Sequence, residues 1–260
     1  MTALRERMRA RVGYPSVLDA RGDKIEAVDL QPRGLNISTA VGSRVALSLK
    51  DPLSFLRAIV ALDGQVEAVL LLSNTLPLEA VLALAEASAC TSIVTDRPID
   101  PAVALPIWTV DSVVSGFGIA KDCDTQWLMT SSGTTGLPKT IAHTLNSLTR
   151  SVHDFSARAD QSLPVWGLLY EPTRFAGLQV VLQALTGGGQ IVLVDTNAPL
   201  ANQLSGLKKA KCTHLSATPT LWRRILMVPG HEQLPFKQVT LGGEIADQGT
   251  LDALKVAYQS

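Results

Sequence analysis

Thr130-Ser131-Ser132-Gly133-Thr134-Thr135-Gly136-Leu137-Pro138-Lys139 is a run of hydroxyls and glycines closed by one lysine. It follows the apolar stretch Trp127-Leu128-Met129, which reads as a strand. Glycine lets a backbone curl until several N–H groups face one point, and serine and threonine hydroxyls add donors. A lysine adds positive charge, so such a loop can hold a polyphosphate. The spacing is not that of a Walker A loop, which needs Gly-Lys-Ser/Thr in series; here Leu137-Pro138 separates Gly136 from Lys139. The bland alternative is a polar surface loop. The ordering of the run directly after a strand disfavours it.

Outward from this loop, strand and helix patterns alternate. Strands are expected at 45–49, 66–72, 92–95, 165–170, 191–194, 213–216 and 238–241, each a short apolar run. Asp51 with Pro52, Pro77 and Pro219 mark helix starts, and Asp247 can cap a last helix carrying Leu251, Leu254 and Val256. Further helices are expected around Asn146 to Ala157, along the stripe Phe175, Leu178, Val181, Leu182 and Leu185, and near Ala201 to Lys209. Gly187-Gly188-Gly189 ends the stripe with a residue suited to a left-handed cap. The Pro-rich stretch from Pro98 to Pro106 reads as irregular connection. This cycling implies an α/β fold with mostly parallel sheets covered by helices. No internal repeat at solenoid spacing is visible, and the halves read as two α/β lobes.

The bulk properties agree. The chain has 260 residues, a hydrophobic share of 46%, and 23 Lys+Arg against 23 Asp+Glu. Balanced charge without like-charge runs recommends neither nucleic acid nor an acidic membrane as partner. The charged start Met1-Thr2-Ala3-Leu4-Arg5-Glu6-Arg7 lacks the apolar core of a signal peptide, and apolar runs such as 66–72 are too short to span a bilayer. Cys90, Cys123 and Cys212 are far apart and fit neither a disulfide framework nor zinc ligands, so reduced thiols in a cytoplasm are expected and no metal site.

The loop resembles the phosphate loop of the adenylate-forming superfamily: acyl- and aryl-CoA synthetases, luciferases and peptide-synthetase adenylation domains. Gly42-Ser43-Arg44-Val45-Ala46-Leu47, Leu76-Pro77-Leu78-Glu79 and Ile93-Val94-Thr95-Asp96 are similar to the opening of that family's large domain. Ser216-Ala217-Thr218-Pro219-Thr220-Leu221 resembles its strand-to-helix turn before the adenine pocket. Leu241-Gly242-Gly243-Glu244 resembles the next motif, whose backbone in the family lies against the adenylate. The resemblance implies two mostly parallel sheets flanked by helices, with lobes of about 40–160 and 161–260 and the phosphate loop at 130–139. It implies ATP with Mg2+, a carboxylic acid substrate activated as acyl-adenylate, and coenzyme A or phosphopantetheine as thiol acceptor. Thr130, Ser131, Ser132, Gly133, Thr134, Thr135, Gly136 and Lys139 would hold the phosphates, with Lys139 offsetting charge or anchoring the loop. Arg174, Gly177, Gly242, Gly243 and Glu244 would border the adenylate and acyl group.

Three departures from the family stand out. Thr140 follows Lys139 where the family usually has glycine. Thr173-Arg174 stands where many members carry Phe-His, so a permanent cation replaces an imidazole; the alternative is a solvated first-turn arginine. His143 is out of the register of the family's histidine and reads as a polar residue at a helix start. Third, the family's aromatic-Gly-x-Thr-Glu motif, ribose aspartate, hinge and small C-terminal domain are expected after Ser260 and are not in the sequence. A natural truncation, a broken reading frame and a cloned piece all remain open. The resemblance then implies a chain inactive alone, with self-association or a complementing chain at an open sheet edge. The competing reading is a non-catalytic module that keeps weak polyphosphate binding. An unrelated nucleotide-binding α/β protein is disfavoured, because no Walker A or Gly-x-Gly-x-x-Gly sits at a strand-to-helix turn.

Overall fold

The computed structural model describes residues 3–9, 17–19, 23–25, 43–98, 105–108, 123–131, 139–155 and 162–258. The chain divides into two α/β units. One is drawn from Met1–Ala10, Val28–Ser151 and Thr173–Phe175, the other from Arg11–Ala27, Val152–Pro172 and Ala176–Ser260.

The first unit begins with helix α1 (Leu4–Arg9); the next two strands, β1 (Val17–Leu18) and β2 (Lys24–Ile25), join the second unit's sheet. Then come β3 (Arg44–Ser48), α2 (Pro52–Leu62), β4 (Ala68–Leu71), α3 (Leu78–Ala87), β5 (Ser92–Thr95), β6 (Ile107–Trp108), β7 (Gln126–Ser131), β8 (Lys139–Thr144) and α4 (Leu145–Leu148). Asp51 accepts the Ser54 N–H at 2.9 Å and Pro52 takes the first helical position, so α2 starts where the sequence places it. The strand order is β6-β5-β3-β4-β7-β8, parallel except for the β7–β8 pair. Val45, Leu47, Leu70, Ile93 and Val94 are all buried, which is why these strands are continuously apolar rather than alternating.

Three local expectations change here. β8 follows the loop and puts His143 on a strand rather than at a helix start. β6 begins directly after the stretch read as irregular and adds a further strand to the sheet. The helix expected to Ala157 stops at Leu148. The Thr149 N–H and hydroxyl both donate back to the Leu145 carbonyl, at 2.9 and 2.8 Å, and close the turn. The Gln183 side chain then takes both the N–H and the carbonyl of His153, at 3.0 and 2.8 Å, so no helical ladder continues through it. Ala157 lies outside the described residues.

The second unit contains β9 (Val165–Leu168), α5 (Phe175–Gly187), β10 (Gln190–Leu193), α6 (Leu200–Lys209), β11 (His214–Ala217), α7 (Pro219–Leu226), a 3-10 turn His231–Gln233, β12 (Gln238–Leu241) and α8 (Gln248–Tyr258). Its strand order is β12-β11-β9-β10-β1-β2, with β9 to β12 and β1 parallel and β2 antiparallel. Gly188 takes φ 83° and ends α5 as a left-handed cap. Trp222, Phe236 and Tyr258 pack ring against ring in its core. On α8 the buried face is Thr250, Leu254 and Tyr258, spaced by four. Val256 falls on the opposite side and is 83% exposed, which corrects its expected place in the apolar stripe.

The two units share a strand order that no sequence repeat announces: β6-β5-β3-β4 in one, β12-β11-β9-β10 in the other. In each, the first strand lies between the second and the third. The direction of winding therefore reverses beside it, between β3 and β5 and between β9 and β11. Ligands of open α/β sheets bind at the carboxyl ends of strands at such a reversal.

Candidate functional site

In the first unit the reversal is closed by the protein itself. The Asp96 carboxylate, just after β5, accepts the N–H groups of Lys50 at 2.7 Å and Asp51 at 3.1 Å, just after β3. The Thr95 hydroxyl adds a bond to the Ser48 carbonyl at 2.8 Å. A side-chain anion thus occupies the donors an external anion would use.

The first unit offers a different feature, the β7–β8 hairpin. Thr130 and Ser131 end β7 and Lys139 begins β8, with Ser131 directly opposite Lys139. The Ser131 hydroxyl donates to the Lys139 carbonyl at 3.2 Å across the strand pair. Lys139 is exposed. Ser132, Gly133, Thr134, Thr135 and Gly136 lie outside the described residues. Alternation along β8 puts Lys139, Ile141 and His143 on one face. The His143 ring lies 6.0 Å from that of Phe175, which is 56% exposed.

In the second unit the reversal carries Tyr170, two residues past β9, and Ser216 in β11, whose side chains hydrogen bond. Burial pushes the Tyr170 phenol up, and the nearby Glu244 charge adds to that, while Ser216 works against it. Thr218 caps α7 by accepting the Leu221 N–H at 3.2 Å. Beside it, β12 ends in Gly242, Gly243 and Glu244. Gly243 has φ 83°, a left-handed conformation that favours glycine. Gly242 has no such constraint, and a Cβ there would meet nothing within 4 Å. The Glu244 carboxylate accepts from both the hydroxyl and the N–H of Thr220, at 2.6 and 3.0 Å, which holds its pKa below the usual carboxylate range.

The remaining sequence-derived candidates lie at the start of α5. Arg174 is exposed. Gly177 is buried, and a Cβ on it would sit 2.2 Å from the Glu171 carbonyl oxygen, so glycine is required there by backbone packing. Sequence reasoning missed Thr220 and Arg223 as partners of the glycine turn. Nothing in their spacing reveals a contact made across 24 residues. Among the described residues no three His, Cys, Asp or Glu side chains come together as metal ligands, and no helix is long and apolar enough to cross a membrane.

The family model described as AMP-binding enzyme matches residues 33–260. The chain belongs to the AMP-binding enzyme family. Among its relatives, Malpibaldin synthetase of Mortierella alpina is 31% identical over 147 residues, 55% of this chain and 3% of that protein. The chain thus spans a small fraction of that curated relative's length. O-succinylbenzoate coenzyme A synthetase of Bacillus subtilis, solved in complex with AMP, superposes with a TM-score of 0.78 at 18% identity, over 98% of this chain and 70% of that one. The N-terminal subdomain of Klebsiella oxytoca NpsA, solved with 3-hydroxybenzoyl-AMSN, gives 0.78 at 15% identity, over 99% and 68%. Both structures share the α/β fold with two mostly parallel sheets flanked by helices.

Proposed function

We propose that the chain takes part in ATP-dependent activation of a carboxylic acid as acyl-adenylate, followed by transfer to a thiol. The observation that carries this reading is Gly242. Neither backbone conformation nor packing requires glycine there, yet the residue leaves an open peptide face just past β12, the strand paired with the one that carries Ser216. A flat base such as the adenine of AMP can lie against such a face, where any side chain would intrude.

In the reaction, an oxygen of the acid attacks the α-phosphorus of ATP, the bond to pyrophosphate breaks, and pyrophosphate leaves. A thiol then attacks the acyl carbon and AMP leaves. Neither step needs a protein nucleophile, so the protein's work is alignment and charge neutralisation. We assign the phosphates to Thr130, Ser131, Ser132, Gly133, Thr134, Thr135, Gly136 and Lys139, the acid to the neighbourhood of Arg174 and Gly177, and the nucleotide to Gly242, Gly243 and Glu244. The thiol is coenzyme A or phosphopantetheine. Among the described residues no three His, Cys, Asp or Glu side chains gather, and Mg2+ is commonly held by only one or two carboxylates with the substrate's phosphates; no step is assigned to it. Free Cys90, Cys123 and Cys212 support a reducing, cytoplasmic setting.

The test is calorimetric titration of the purified chain with AMP, together with acid-dependent ATP–pyrophosphate exchange over a panel of acids. Binding with exchange supports catalysis by this chain. Binding without exchange favours a non-catalytic, nucleotide-holding module. Absence of both overturns the reading.

A further inference from the structure

We infer that Glu244 is a positioning residue, clamping the Gly242–Gly243 turn to the first turn of α7 so that the nucleotide-facing peptide is held in place. The ligand in this inference rests on the function proposed above; the clamp rests on hydrogen bonds alone.

The turn needs such a clamp. Gly243 is in the left-handed region and, like Gly242, brings no side chain to anchor it. The backbone tie from the Gly242 N–H to the Ala217 carbonyl is long, at 3.4 Å. Glu244 supplies the missing anchor through one oxygen, Oε2, which accepts the Thr220 N–H at 3.0 Å and its hydroxyl at 2.6 Å. That N–H is one of the donors a helix start leaves without an intrahelical partner. A carboxylate is also favoured there by the helix dipole. Thr218 serves the neighbouring N–H of Leu221, and its side chain also bonds Glu244, so the two side chains hold the start of α7 together.

A second tie runs in the same direction. Arg223, on α7, donates to the Thr220 hydroxyl at 3.2 Å and to the Asp247 carboxylate at 3.2 Å. Asp247 accepts the Thr250 N–H and hydroxyl, each at 2.8 Å, and so caps α8. The segment from Gly242 to Asp247 is thereby fastened at both ends, with Glu244 nearest the open peptide. An isolated surface ion pair would hold little. Two donors on one carboxylate oxygen, one of them backbone, define its position more tightly.

The experiment compares the whole chain with Glu244→Ala and Glu244→Gln. Hydrogen exchange is followed over residues 218–223 and 242–248, and AMP is titrated by calorimetry with Tm measured alongside. Glu244→Ala is expected to speed exchange in both segments, to lower Tm modestly as a helix-start partner is lost, and to weaken AMP by about threefold to tenfold, because the loosened turn must be ordered on binding. Glu244→Gln keeps an acceptor oxygen for Thr220 and is expected to restore exchange and affinity. Wild-type exchange and affinity in Glu244→Ala would overturn the inference, as would a Glu244→Gln variant as weak as Glu244→Ala. A wild-type chain that binds no AMP overturns the nucleotide reading, while the exchange measurement still decides the clamp.

Discussion

Asp63 accepts the N–H of Leu4 at 2.7 Å across 59 residues, and its other oxygen accepts the Trp127 indole N–H at 2.8 Å. The side chain is 3% exposed, and burial raises its pKa against the pull of these two bonds and of Arg7 and Arg5. It ties α1 to β7. Asp63→Ala should leave two buried donors unpaired, at about 1–3 kcal/mol each. Urea unfolding followed by tryptophan fluorescence measures the loss; an unchanged midpoint would refute it.

The glycines separate by role. Gly177→Ala should be severely destabilising, because its Cβ meets backbone at 2.2 Å. Gly243→Ala should cost about 1–2 kcal/mol for the left-handed conformation. Gly242→Ala should leave Tm unchanged or slightly raised while weakening AMP. Thermal melts with parallel titrations give all three outcomes, and a large drop in Tm for Gly242→Ala would contradict the open face.

Stability should depend on pH through His214. Burial, with the Lys237 charge adding, lowers its pKa from 6.5 to about 4. Between these values the unfolded chain holds more protons than the folded one, so stability rises with pH across the window. The contribution is present above about 6.5 and is lost as pH falls towards about 4. His214→Phe, which keeps a ring against Trp166 and Phe155, should flatten this slope in urea midpoints. An equal slope in the variant would assign the dependence to other groups.

Lys139→Ala should weaken pyrophosphate binding by about 1.5–3 kcal/mol if its ammonium meets the phosphates. NMR titration of both proteins decides it, and identical curves would remove Lys139 from the site.

Arg174→His should shift acid preference from substrates with a second anionic group towards neutral ones. The ratio of kcat/KM values across an acid panel reports this difference in transition-state binding. An unchanged ratio would leave Arg174 as a solvated first-turn residue.

The sequence was legible where a local cause acts alone. Asp51 with Pro52 and Thr218 with Pro219 start helices because capping involves only neighbouring residues. The continuous apolar runs became parallel strands because both faces are covered. It was not legible where distant groups compete for the same backbone. The expected helix beyond Leu148 gives way because Gln183 claims His153 from 30 residues away.

For the candidate site the division is similar. The order of hydroxyls, glycines and lysine from Thr130 to Lys139, and the Gly-Gly-Glu at 242–244, are properties of the sequence itself, because they depend on residue type and spacing. Tertiary structure decided which glycine is open and which is packed. It also decided that Asp96 closes one sheet reversal while Tyr170 and Ser216 flank the other, and that Glu244 reaches Thr220. These depend on which strands become neighbours, and hydrogen bonds between residues far apart along the chain exist only after the sheets have formed.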